Sequence, residues 1–346
     1  MADLSVNYRR PIKSELKSRK KVFRAPEDPV GSAVEKLLRE NYRYKYTYAV
    51  NPYAEVYRFR DNIYGIYTDS IDGAGDPWMF LIEGPEKALL IDTSFGLGDL
   101  KGLLKEIIGN KPVLVANTHS DFDHAYGNYQ FDTVYCHEYE EPIIRSKMNP
   151  HVWDYLFDEN GNGIWADFDR KDLVPFREYN LIGVPDGYIF DLGCGYEVEL
   201  IHTAGHSIGH AGFLDRQARI FFAGDDACIG GLQCSGGGLE KFEHREYATV
   251  EALCMQMKKV VGRMDEFDSV FPSHGLVDLN IYALINLISI CESILENPNR
   301  YDCKHIKTRD GITRAQYGRL IPGAGYLNYS ETSVYMNKVW HADSEV

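Results

Sequence analysis

Cysteine pairs spaced as CxxC are missing: the seven cysteines, at 136, 194, 228, 234, 254, 291 and 303, stand apart and are odd in number. That spacing argues against a cysteine zinc site and a disulfide framework and favours reduced thiols. Long apolar runs are missing too, with nothing near the ~18 residues a membrane helix needs. The opening Met1-Ala2-Asp3-Leu4-Ser5 lacks the apolar stretch of a secretory signal. A cytoplasmic protein without a membrane partner is expected. Positive charge is scarce, 37 Lys and Arg against 51 Asp and Glu for a net charge of −14. Such a surface repels phosphate backbones, so no nucleic-acid partner is expected. The one basic stretch, Arg9 to Arg24, carries no nucleic-acid-binding signature and reads as a solvated arm or a contact between copies in a homo-oligomer. No fixed-period repeat or low-complexity segment exists, which excludes solenoids and propellers.

What is there is an ordinary globular composition, 44% hydrophobic and 25% charged over 346 residues. Residues 1–50 read as an N-terminal extension, an arm followed by a helix over 33–43. Short apolar runs follow at Ile63–Tyr67, Met79–Ile82, Ala88–Ile91 and Val113–Ala116, with a helical pattern over Leu97–Ile108. A second series reads as strands at Thr133–Cys136, Val198–His202, Gly212–Leu214, Arg219–Ala223 and Ser269–Pro272, with helices over 250–261 and 279–295. Alternating strands and helices make the fold class α/β, with a catalytic domain over 51–297 and a C-terminal extension over 298–346 packing on it. An aromatic-rich insertion at about 138–191 either packs a small subdomain or lines the substrate.

The strongest signal is His119-Ser120-Asp121-Phe122-Asp123-His124, set directly after the run Val113–Ala116. Four imidazole and carboxylate groups within six residues would repel one another without a cation, and they are the ligands that zinc, iron or manganese takes. Compatible ligands recur at the ends of other apolar runs: His206 after 198–202, Asp225 after 220–223 and His274 after 270–272. Strands ending at one sheet edge deliver such side chains to a common site.

The set resembles the metallo-β-lactamase superfamily, whose HxHxDH motif is followed by separate His, Asp and His ligands; here the motif is the variant HxDxDH. Asp92-Thr93, after Ala88–Ile91, is similar to the turn that the family places beside its site. The resemblance implies a four-layer αββα sandwich and two divalent ions, zinc by family. It puts His119, Asp121, His206 and an oxygen of bridging Asp225 on the first ion. Asp123, His124, His274 and the other oxygen of Asp225 would hold the second. Asp92 and His210 would stand behind the ligands, and Asp123 would be the catalytic carboxylate. The implied activity is hydrolysis of an ester-like bond in a small molecule (lactone, thioester, amide or phosphodiester) by a metal-bridging hydroxide. Asp121 stands where the motif has histidine. A carboxylate there hardens the shell toward iron or manganese, or swings away and leaves one metal. It also resembles the flavo-diiron proteins, which makes a diiron redox enzyme the alternative.

Elsewhere, His202 reads as a packed core histidine and His137 is open. Asp158-Glu159-Asn160-Gly161-Asn162-Gly163 with Asp169 matches a calcium-loop spacing but reads as a turn. Gly230–Gly238 lacks the P-loop lysine and reads as a loop.

Overall fold

The computed structural model describes residues 38–343 apart from 73–74, 167, 228–229, 236–237, 310–311 and 323–324. The basic arm lies outside the described residues, as does the first part of the helix expected over 33–43; Leu38–Glu40 are helical.

Eight strands lie side by side in chain order in the first sheet: β1 (Lys45–Thr47), β2 (Ala54–Arg60), β3 (Ile63–Thr68), β4 (Trp78–Glu83), β5 (Ala88–Ile91), β6 (Val113–Ala116), β7 (Thr133–His137) and β8 (Asn180–Val184). Neighbours are antiparallel as far as β5 and parallel from β5 to β8. Parallel pairing needs a crossover. Between β5 and β6 it is helix α1 (Leu100–Ile108), whose Leu100, Leu103 and Leu104 are buried on one face and whose N-terminus is capped by Asp99 accepting from the Gly102 N–H. Two short helices, α2 (Phe122–Ala125) and α3 (Glu141–Lys147), follow β6 and β7.

The second sheet has the order β14-β12-β11-β10-β9, built from β9 (Ile189–Asp191), β10 (Glu197–His202), β11 (Ala211–Asp215), β12 (Ile220–Gly224) and β14 (Ser269–Pro272). Period-two alternation sorts its side chains. Phe80, Ile82, Phe213, Phe222 and Phe271 fill the space between the sheets, while Met79, Leu81 and Leu90 turn outward onto α1. Phe221, Ala223 and Val270 turn onto α4 (Val250–Val261) and α5 (Tyr282–Glu296) on the far side. Helices, sheet, sheet and helices form four layers, and the central strands β4, β5, β11 and β12 are buried on both faces, which is why they read as near-continuous apolar runs.

Residues 138–191 end in β8 and β9, so each sheet takes a strand from this stretch. Before them, Val152, Trp153, Leu156, Phe157 and Val174 pack a small core of their own around Phe95. The C-terminal residues form a third sheet, in the order β13-β17-β16-β15: β15 (Cys303–Arg309), β16 (Ile312–Ile321) and β17 (Gly325–Tyr329) join β13 (Gly230–Gln233), which follows the second sheet. Among the described residues no helix is long and apolar enough to cross a membrane.

Phe222 lies fully buried with ring centroids 5.1 Å from Phe80 and 5.6 Å from Phe271. Phe222→Ala leaves a cavity between the sheets, and a stability loss of about 3–5 kcal/mol is expected from urea unfolding of the metal-loaded protein. A loss under about 1 kcal/mol would show that this interface is not what holds the sandwich together.

Candidate metal centre

All seven proposed ligands come from the loops and short helical turns that follow strands at one end of the sandwich. His119 to His124 follow β6, His206 lies between β10 and β11, Asp225 follows β12 and His274 follows β14. Because β12 and β14 are parallel neighbours, Asp225 and His274 leave the sheet on the same side. Gly224, at φ +57°, makes the turn before Asp225; a Cβ there would stand 2.4 Å from His210 Nε2. Only glycine accepts both the left-handed backbone and the contact.

Two groups result, and Asp225 faces both. In the first, His206 Nε2 is 3.4 Å from Asp121 Oδ2 and 3.7 Å from Asp225 Oδ2, and His119 Nε2 is 3.7 Å and 3.9 Å from the same atoms. In the second, His274 Nε2 is 3.3 Å from Asp123 Oδ2 and 3.4 Å from Asp225 Oδ1, and His124 Nε2 is 3.4 Å from each. The two imidazoles of that group are 3.2 Å apart at Nε2. Ligands about 2.0–2.1 Å from a tetrahedral ion are about 3.3–3.4 Å from one another, so the second set has the spacing of a coordination shell and the first is slightly wider. His119 Nε2 and Asp225 Oδ1 are buried with no hydrogen-bond partner, as atoms waiting for a cation would be. The donors fit two divalent ions.

Each imidazole is fixed from behind, which sets its tautomer. His124 Nδ1 is 2.9 Å from Asp92 Oδ2, and His119 Nδ1 is 3.0 Å from Thr118 Oγ1, which itself donates to Asp92. His206 Nδ1 donates to the Gln233 carbonyl at 2.6 Å and His274 Nδ1 to the Asp76 carbonyl at 3.1 Å. Asp92 takes a positive φ of 64°, a strained conformation held at the site. His210 belongs to neither ligand group: its Nε2 accepts the Asp225 N–H at 3.0 Å, and its Nδ1 lies 2.7 Å from Asp226 Oδ2. It orients the bridging residue.

Three supports escape sequence reasoning. Glu140 is fully buried and accepts from the Ser120 N–H, the Ser207 hydroxyl and the Gly209 N–H, tying the His119 loop to the His206 loop. Lys147 donates to Asp121 Oδ1 at 3.0 Å. Gln233, whose carbonyl receives His206, lies on β13, paired with β17 of the C-terminal residues. Glu140 and Lys147 sit at the two ends of α3; an acid three residues beyond β7 is the sequence signal that marks the first.

Gly205–Gly209 spells Gly-x-Ser-x-Gly, the pattern of a serine-hydrolase elbow. Ser207 is not a nucleophile, because it is buried, its hydroxyl donates to Glu140, and β11 rather than a helix follows. His202 is packed, with Nε2 bonded to the Ile208 carbonyl, and His137 stacks on it at 4.0 Å, away from the ions' ligands. Asp158 caps its own loop through the Asn160 and Asn162 N–H groups and Asp169 turns to Lys171, so the calcium-like spacing is a turn.

Burial opposes charge throughout the centre, yet the partners prevail. His206 is pushed up to about 9, and His124 and His274 well above the usual imidazole range, by the carboxylates they face. Asp123 and Asp225 are held below the usual carboxylate range by the imidazoles, and Asp121 by the Lys147 ammonium first and by His119 and His206 after it. His119 goes the other way, lowered by burial and by His124.

The sequence model described as the metallo-beta-lactamase superfamily matches residues 72–229. The chain belongs to the metallo-β-lactamase superfamily. A protein titled acyl-coenzyme A thioesterase MBLAC2 from Homo sapiens is 30% identical over 187 residues, half of this chain (50%) and 66% of that protein. Its counterpart from Gallus gallus is 24% identical over 207 residues, 57% of this chain and 71% of that protein. The chain thus spans about two thirds of the length of these relatives. Among solved structures, a metallo-beta-lactamase from Pontibacter korlensis superimposes with a TM-score of 0.48 at 17% identity, over 69% of this chain and 99% of that one. Within that family frame the two adjacent His/Asp ligand groups are consistent with a binuclear metal centre.

A pH dependence follows. His206 moves from an ordinary 6.5 to about 9 in the metal-free fold, so folding binds a proton there. The stability it contributes is complete below about pH 6.5 and is lost as pH rises through about 9. An ion held by His206 would take the place of that proton. Thermal melts at pH 6.5 and 9 should therefore show chelator-treated protein losing stability while metal-loaded protein does not; the same loss in both would contradict this.

Proposed function

We propose that this metallohydrolase cleaves a small-molecule thioester of the acyl-coenzyme A class and does so in the cytoplasm. The likeness to proteins titled acyl-coenzyme A thioesterase carries the reading. The site supports it in two ways. Phe122, between ligands Asp121 and Asp123, has its ring 5.9 Å from Tyr155, which is 6.2 Å from Trp165, so an apolar wall suited to an acyl group borders the centre. A thiolate, with a conjugate pKa near ~8.5, also leaves near neutral pH without a proton from the protein.

Two ions, zinc by family or iron or manganese with Asp121, would polarise the scissile carbonyl and make water nucleophilic at neutral pH. The chain's own residues do the rest. Asp225 fixes the separation of the two ligand groups by presenting one oxygen to each. Asp123, ionised and buried, offers Oδ2 to the second ligand group and keeps its other oxygen, which would take the proton of the attacking water. The buried imidazoles, locked through Nδ1, keep the centre from reorganising as charge develops.

Asp121 in ligand position also favours a second reading, the diiron redox enzyme. Elemental analysis of protein purified without added metal, with acyl-coenzyme A, lactone, ester and phosphodiester assays and oxygen uptake under reductant, separates the two. Two equivalents of metal and preferential thioester hydrolysis are expected. Asp225→Asn should lower kcat/KM by more than about 100-fold, beyond the loss typical of groups behind the ligands. No thioester preference would sink the substrate assignment, and rapid oxygen uptake would favour the redox reading.

A further inference from the structure

Asp121 is the one ligand that departs from the motif, and its two oxygens face different ways. Oδ2 lies 3.4 Å from His206 Nε2 and 3.7 Å from His119 Nε2, in the first ligand group. Oδ1 faces outward and accepts from Lys147 Nζ at 3.0 Å. The same ammonium donates to the Ser120 carbonyl at 2.9 Å and the Ser120 hydroxyl at 3.1 Å. An ammonium has three N–H donors, and here all three are used on two consecutive residues of the ligand loop. Lys147 is the last residue of α3, whose preceding Glu140 grips the Ser120 N–H, so the helix holds that loop at both ends.

Replacing an imidazole by a carboxylate adds a negative charge to a centre that already holds Asp92, Asp123 and Asp225, and gives the ligand a second oxygen that can rotate toward the ion. An ammonium on the outer oxygen answers both problems. We propose that Lys147 is a positioning residue that makes Asp121 the equivalent of the missing histidine: a one-atom ligand, fixed in orientation, whose charge is balanced from outside the centre. The proposal rests on the binuclear centre and is independent of the thioester assignment.

The test is a cycle of Lys147→Met, Asp121→His and the double variant. Its readouts are zinc content by elemental analysis, affinity by competition with a chromophoric chelator, and circular dichroism to verify folding. In the natural background, Lys147→Met should weaken the more labile ion ~10–100-fold, as loss of a group behind a ligand does. Lys147→Arg should restore part of that affinity. With histidine at 121 there is no carboxylate to hold, and Lys147→Met should change affinity by no more than about 2-fold, the scatter of independent sites. Equal losses in both backgrounds would make Lys147 a structural anchor of α3 and overturn the proposal; no loss in the natural background would do the same. An unsubstituted protein that binds fewer than two ions would overturn the binuclear centre itself, a separate failure visible before any variant is compared.

Discussion

Asp225 is the residue on which the centre turns, because it is the one group that both sets of ligands share. Its Oδ1 faces His124 and His274 and its Oδ2 faces His119 and His206. Such a carboxylate is stable in a buried place only if positive charge surrounds it. In the metal-free fold that charge comes from protons on imidazoles raised by their acidic neighbours, and in the loaded fold from ions. The backbone fixes its place. Gly224 lets β12 turn sharply, His210 takes the Asp225 N–H, and Asp226 stands behind His210, so the bridge is set before any ion arrives.

The two sheets supply the rest of that precision. Phe80, Phe222 and Phe271 lock them face to face, and the parallel pairs β5·β6 and β12·β14 end at one edge. Each ligand therefore stands a few residues past a strand whose own position is fixed on both faces. Loops alone would not hold seven groups within a few tenths of an ångström; loops on such strands do.

The ligand set was legible in the sequence for this reason. Each member follows an apolar run, and the runs at 88–91, 113–116, 220–223 and 269–272 correspond to β5, β6, β12 and β14. Helix α4 was legible by its period over 250–261, while α1 starts three residues later than its apolar pattern because Asp99 caps it. What local pattern could not show is what depends on tertiary packing. β13 carries three polar or glycine positions among its four residues and exists because β17 pairs with it, from nearly a hundred residues away. β15 to β17 close that sheet in a region where polar and apolar residues do not sort by period. Glu140 and Lys147 look like surface charges of a short helix until the fold turns one inward under two ligand loops and the other onto Asp121.

The two halves of the centre are unequal, and the inequality has a physical origin. The second group is compact, its spacings running from 3.2 to 3.4 Å, and Asp123 and His124 come from one buried turn of α2. The first is wider, from 3.4 to 3.9 Å, and includes Asp121, whose side chain is 36% exposed. Its supports are also remote in sequence: Lys147 from α3, and Gln233 from a strand that only the C-terminal sheet completes. A shell assembled from separate elements is more easily deformed than one carried on a single turn, so any change to the helix or the C-terminal sheet reaches the first ion before the second. The stretch 298–343 is in that sense part of the site, although none of its described residues belongs to either ligand group. Through β17 they hold the strand whose carbonyl fixes His206, and the first ligand group takes its shape from it.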